Sequence, residues 1–102
     1  MKLRHATAYH TQGEVIYWQF EKKAPKTSRP IANILSTVSG YGAQDNADGI
    51  AAFGGFKDWV IDKIGIPAFT IEAGIGKNPL PLSQFDSIYQ KNLEILLLLS
   101  LI

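Results

Sequence analysis

The run Ile66-Pro-Ala-Phe-Thr-Ile71 constrains this chain more than any other. It is short, bounded by glycine, partly β-branched and almost unbroken in its apolar character. Such a run reads as a strand buried on both faces, the kind found in parallel sheets with helices packed over them. Glu72 follows at once, and Ala73 to Pro81 then forms a Gly/Pro-rich loop. A chain with this strand needs layers above and below it. With 102 residues it has material for one small domain and a modest core.

The other elements fit an α/β fold. Residues 3–9 and 14–20 read as strands, the second rich in β-branched and aromatic residues, with Gln12-Gly13 turning between them. Ser28 reads as the cap of a helix over 28–39, with Pro30 in the first turn, Ile31, Ile34, Leu35 and Val38 at helical spacing, and Gly40 as the stop. Tyr41 to Gly55 has no clear period and reads as a long loop. A helix over 55–64 places Phe56, Trp59, Val60 and Ile64 on one side. Ser83-Gln-Phe-Asp86 resembles a capping box for a last helix over 83–101. Phe85, Ile88, Tyr89, Leu93, Leu96 and Leu97 form its expected core stripe. The end of that helix is apolar nearly all round, which calls for burial on several sides, by more protein or by self-association. The expectation is a mixed sheet with helices on its faces, one domain over 1–102, with no internal repeat.

Composition narrows the function. Ten basic residues against nine acidic ones leave a net charge of +1, with none of the basic excess that nucleic-acid binding uses. There is no cysteine, so disulfides and thiolate metal sites are excluded, and the compartment stays open. The longest apolar run, Ile95 to Leu99, is far below the roughly 20 residues that span a bilayer, so no membrane partner is expected. Gly54-Gly55 lacks the spacing of a phosphate loop.

Few residues carry chemistry. His5 and His10 are five apart on one strand, so they face opposite ways and do not share a metal. His10, at a strand end beside a glycine turn, is the better ligand; the alternative is a histidine hydrogen-bonded in the turn. Glu72 sits at the carboxyl edge of a buried strand, where α/β proteins place ligands and where burial raises a carboxylate toward a general base. Its alternative is a glutamate that leaves for solvent or pairs with Lys77. Asp58 suits the first turn of its helix, whereas Lys57 does not and either serves something outside it or is simply solvated.

Three segments together resemble the C-terminal half of the carboxypeptidase A-like zinc metallopeptidases, most closely the bacterial γ-D-glutamyl-(L)-meso-diaminopimelate endopeptidases. They are His10-Thr-Gln-Gly13, Gly54-Gly-Phe-Lys-Asp-Trp59 and Phe69-Thr-Ile-Glu-Ala-Gly74. The resemblance implies zinc as cofactor, His10 as a metal ligand, Glu72 as the catalytic base and a peptidoglycan stem peptide as substrate. It implies that Thr11, Gln12 and Lys57 bind substrate, Lys57 favouring a carboxylate-bearing side chain after the scissile bond. The family's H-x-x-E ligand pair does not occur in the sequence, and its mobile-loop tyrosine falls at about Ile50, with Tyr41 or Phe53 as neighbours. The expectation is therefore a segment of a zinc peptidase that binds zinc poorly and is inactive by itself; the alternative is a non-catalytic, wall-peptide-binding module that self-associates.

Overall fold

A computed structural model describes residues 2–45 and 55–102. The sheet has four strands: β1 (Ala6–His10), β2 (Val15–Tyr17), β3 (Gly42–Gln44) and β4 (Ala68–Glu72). Three helices accompany them: α1 (Ser28–Ser39), α2 (Phe56–Lys63) and α3 (Phe85–Leu101), the last entered through a 3-10 turn at Leu82–Gln84. The strand order is β1-β4-β2-β3. β4 runs parallel to β1 and antiparallel to β2, and β2 runs parallel to β3. The fold is the α/β mixed sheet that the sequence calls for, and the apolar run at 66–71 leads into β4, an inner strand that is parallel to β1 as expected but antiparallel to β2.

Alternation along β4 sorts the molecule into layers. Phe69 and Ile71 point into a core with Ile16, Trp18, Ala32, Leu35, Tyr41 and Ile95, so α1 and α3 cover that face. Ala68 packs with Val60 and Ile61, so α2 covers the other. Both faces of β4 are therefore covered, and its run of apolar residues needs no polar alternation. Among the described residues no helix is long and apolar enough to cross a membrane.

Several local expectations change. β1 and β2 are not a hairpin, because β4 lies between them and supplies partners to both. β3 falls inside the expected loop; Gly42-Ala-Gln44 has no β-branched residue to announce it, and it forms because β2 offers a free edge, starting with Gly42 N–H to Glu14 O at 3.1 Å. Thr27, not Ser28, occupies the cap of α1, and Ser28 is buried as the first helical residue. Gly40 does end that helix, at φ 77°, its N–H returning to Ser36 O at 2.9 Å. The capping box at Ser83 is absent, because the 3-10 turn continues into α3 with Gln84 already helical.

The helices also turn unexpected faces inward. α2 buries Lys57, Val60 and Ile61 and leaves Phe56, Trp59 and Ile64 exposed. α3 buries Asn92 and Ile95, with Ile88, Leu98 and Leu99 packed partly against the core. Of the expected stripe Ile88 does pack inward, whereas Phe85, Tyr89, Leu93, Leu96 and Leu97 face solvent. Asn92 explains the offset, because its amide is satisfied on the inside. Nδ2 donates to the Tyr41 hydroxyl and to Ile88 O, both at 2.9 Å, while Oδ1 accepts from the Tyr9 hydroxyl at 3.1 Å. A buried polar group with its bonds made is tolerated in a core, and α3 rotates to make them.

Candidate functional site

β1 and β4 end together. His10 is the register partner of Glu72, and residues opposite one another in a parallel pair share a face of the sheet. Both lie on the α2 side, at the carboxyl ends of their strands. The ladder persists beyond the strands, with Ala73 N–H to His10 O at 2.8 Å and Gly13 N–H to Gly74 O at 2.7 Å. The two loops that follow are thereby zipped side by side, and the imidazole and the carboxylate sit on one rim.

Glu72 is half-buried, and its Oε2 is buried without a hydrogen-bond partner. Burial raises its pKa above the ordinary glutamate value, and the neighbouring His10 opposes that rise. It forms no ion pair with Lys77: the ion pairs among the described residues involve Lys23, Lys57, Lys63 and Lys91. His10 is exposed, and among the described residues no side-chain hydrogen bond holds it in the turn. An open depression of about 550 Å³ adjoins this rim, lined by Tyr9, His10, Thr11, Ala73 and Ile88.

Thr11 and Gln12 lie exposed at the same edge. Thr11 is held by Asn78, its hydroxyl donating to Asn78 Oδ1 at 2.8 Å and its carbonyl accepting from Asn78 Nδ2 at 3.2 Å. The Gly/Pro loop that carries Asn78 is braced in turn by Gln84, which accepts from Ile75 N–H at 3.0 Å and donates to Ile75 O at 2.6 Å. Asn78 and Gln84 give no signal in the sequence, because nothing in their neighbourhood marks a side chain that will brace a loop remote in sequence.

Lys57 is elsewhere, and it is not a solvated lysine. Its ammonium is buried, 2.5 Å from Asp58 Oδ1 and bonded to the Gln19 carbonyl oxygen. Asp58 also accepts from Gly55 N–H at 3.4 Å, which caps α2. The described contacts of Lys57 tie α2 to the chain after β2, and it does not line the depression beside His10. Tyr41 cannot serve as a cleft tyrosine, because it is fully buried with its hydroxyl held by Asn92. Ile50, Phe53 and Gly54 lie outside the described residues.

The donor set bears on a metal. His10 and the orphaned oxygen of Glu72 are two polar donors on one rim. Among the described residues, however, no three His, Cys, Asp or Glu side chains gather where they could hold an ion. A catalytic zinc takes three protein ligands and keeps a fourth position open. The described residues do not amount to that site.

No family model matches the chain. It is 48% identical over 90 residues to the gamma-D-glutamyl-L-diamino acid endopeptidase 1 of Lysinibacillus sphaericus, a match covering 88% of this chain and 22% of that protein. It is 38% identical over 89 residues to the uncharacterised protein YqgT of Bacillus subtilis (strain 168), covering 87% of this chain and 23% of YqgT. The chain is thus similar along nearly its whole length to a named endopeptidase, and it spans little more than a fifth of the curated relatives it matches.

Proposed function

We propose that this chain is the C-terminal part of the catalytic domain of a zinc metallopeptidase of the carboxypeptidase A-like kind. Its reaction is hydrolysis of an amide bond in cell-wall peptides such as γ-D-glutamyl-diaminopimelate. The observation that carries this reading is the pairing of His10 with Glu72 across β1 and β4, on one rim, with one carboxylate oxygen left unpartnered. The similarity to a gamma-D-glutamyl-L-diamino acid endopeptidase supports the substrate class.

The residues of this chain have definable tasks. Glu72 takes a proton from the attacking water, and burial suits it to the task by raising its affinity for that proton. His10 offers one ligand nitrogen to a metal whose other ligands the described residues do not provide. Bound there, zinc would supply Lewis-acid activation of water and of the scissile carbonyl. Thr11 and Gln12 line the substrate side of the rim, with Asn78 fixing Thr11. Lys57 would favour a carboxylate-bearing side chain only after exchanging the Asp58 carboxylate for that of the substrate.

The test compares the 102-residue chain with the longer relative from L. sphaericus. The chain alone is expected to hold less than stoichiometric zinc and to leave a γ-D-glutamyl-diaminopimelate peptide intact. In the longer relative, replacing the residue that aligns with Glu72 by Gln should lower hydrolysis at least about 100-fold while zinc is retained. Unchanged turnover in that variant would defeat the reading. A second reading, a non-catalytic module that binds wall peptide, is favoured by the absence of a three-donor group among the described residues. It predicts that the chain alone binds the peptide without cleaving it.

A further inference from the structure

Residues 11–14 link β1 to β2, and α3 holds both ends of this link. At the entrance, the Tyr9 hydroxyl donates to Asn92 Oδ1 at 3.1 Å. At the exit, Lys91 Nζ donates to Glu14 Oε2 at 2.9 Å. Lys91 and Asn92 are consecutive on α3, and Ile88, one turn earlier, lines the depression together with His10 and Thr11. One turn of α3 therefore frames the loop that carries Thr11 and Gln12.

The exit is the part that needs holding. Glu14 has φ 54°, a left-handed conformation that is costly for any residue but glycine and persists only where its surroundings fix it. Its carbonyl oxygen accepts from Gly42 N–H at 3.1 Å. Its side chain is mostly covered and pairs, among the described residues, with Lys91 alone. The preceding residues have restraints of their own. The His10 carbonyl is locked into the ladder with β4, and Asn78 grips Thr11 by both its hydroxyl and its carbonyl. Gln12 differs: it is exposed, and its side chain bonds to no described residue. Its place on the rim is set by the anchors at Thr11 before it and at Gly13 and Glu14 after it.

We propose that Lys91 is a positioning residue for substrate binding. By pairing with Glu14 it keeps the loop exit in its left-handed turn, and so fixes where Gln12 sits on the rim. The effect falls on binding and not on the chemical step, because His10 and Glu72 are held independently by the pairing of β1 with β4. The proposal rests on the reading of Thr11 and Gln12 as residues that bind the peptide substrate.

Lys91→Met tests it in two proteins. One is the 102-residue chain; the other is the full-length L. sphaericus relative carrying the 90 matched residues of this chain in place of its own. In the chain, the backbone order parameters of Gln12, Gly13 and Glu14, measured by NMR relaxation, are expected to fall from about 0.85 to below about 0.6. The melting point should stay within about 3 °C of the parent, since the pair is partly exposed. In the chimera, KM for a γ-D-glutamyl-diaminopimelate peptide is expected to rise about 5-fold, with kcat and bound zinc unchanged. Lys91→Arg keeps the charge and should retain both the loop order and the parental KM. A loop that stays ordered in Lys91→Met overturns the proposal, as does a loosened loop with unchanged KM or a loss confined to kcat. A Lys91→Met chain that unfolds also overturns it, by making the ion pair a strut of the fold. Failure of the proposed reaction is seen separately, in the parental chimera: a folded, zinc-loaded parent that leaves the peptide intact rejects that reaction and the substrate role of Lys91 with it.

Discussion

Asn92→Leu should cost far more than its near-isosteric volume suggests. The substitution removes three hydrogen bonds at 2.9–3.1 Å, to Tyr9, Tyr41 and Ile88. The losses are unequal. Tyr9 is 40% exposed and recovers water, and Ile88 O keeps its place in the helix. Tyr41 is 1% exposed and loses the partner of its hydroxyl with nothing to replace it. Stranding one buried hydroxyl costs about 1–3 kcal/mol, and the added apolar contact of leucine returns about 1 kcal/mol at most. The net loss, about 1–2 kcal/mol, corresponds to roughly 4–16 °C in a domain of this size. Thermal and urea unfolding followed by circular dichroism measure it. The same network dictates a double-mutant result. Tyr41→Phe removes the stranded hydroxyl, so Asn92→Leu/Tyr41→Phe should be no less stable than Asn92→Leu alone, with a coupling of about 1 kcal/mol. Strictly additive single losses, or an Asn92→Leu melting point within about 2 °C of the parent, would refute the claim that this network sets the rotation of α3.

Gly74→Ala should destabilise by about 2–4 kcal/mol in the same assay, since φ is +80° and a methyl group would overlap Leu80 Cδ1 and approach Gln84 Oε1 and Ile88 Cδ1 at 3.0 Å. Lys57→Met leaves the buried Asp58 carboxylate unpaired and should cost about 3 kcal/mol, much of it recovered in Lys57→Met/Asp58→Asn. Burial raises the folded-state pKa of Glu72, so the folded form binds the proton more tightly than the unfolded chain. The stability it contributes is present below the unfolded value and is lost as pH rises through the folded one. Glu72→Gln should therefore melt higher than the parent at pH 7 and no higher at about pH 3–4; a melting difference independent of pH would exclude burial as the cause.

Legibility in the sequence divides along physical lines. The central strand is legible because a short, unbroken apolar run between glycines fits little besides a strand covered on both faces. The end of α1 is legible because glycine at positive φ leaves its mark at one position. The pairing of residues 10 and 72 is approachable only through resemblance, since no local pattern encodes which strand lies beside which. The inward faces of α2 and α3 are not legible, because hydrophobicity alone does not decide burial. Lys57 and Asn92 go inside because specific partners await them, and Phe85, Tyr89 and Leu96 stay outside because no described element lies over them. β3 is invisible because its pairing is supplied by the free side of β2, and its own residues give no sign of it.

The position of β4 between β1 and β2 has a consequence for assembly. Residues 6–17 hold two strands that are neighbours in sequence and never touch as a ladder, so neither can use the other as an early partner. β1 waits for residues 68–72, and β2, which also pairs with β3, gains its second neighbour only when those residues thread between the two strands after a long stretch of intervening chain. Closing so long a loop before any contact rewards it slows folding. A nascent chain halted before Ala68 would hold α1 and α2 over strands that lack their shared neighbour, and the rim bearing His10 would come into being only with the last third of these 102 residues.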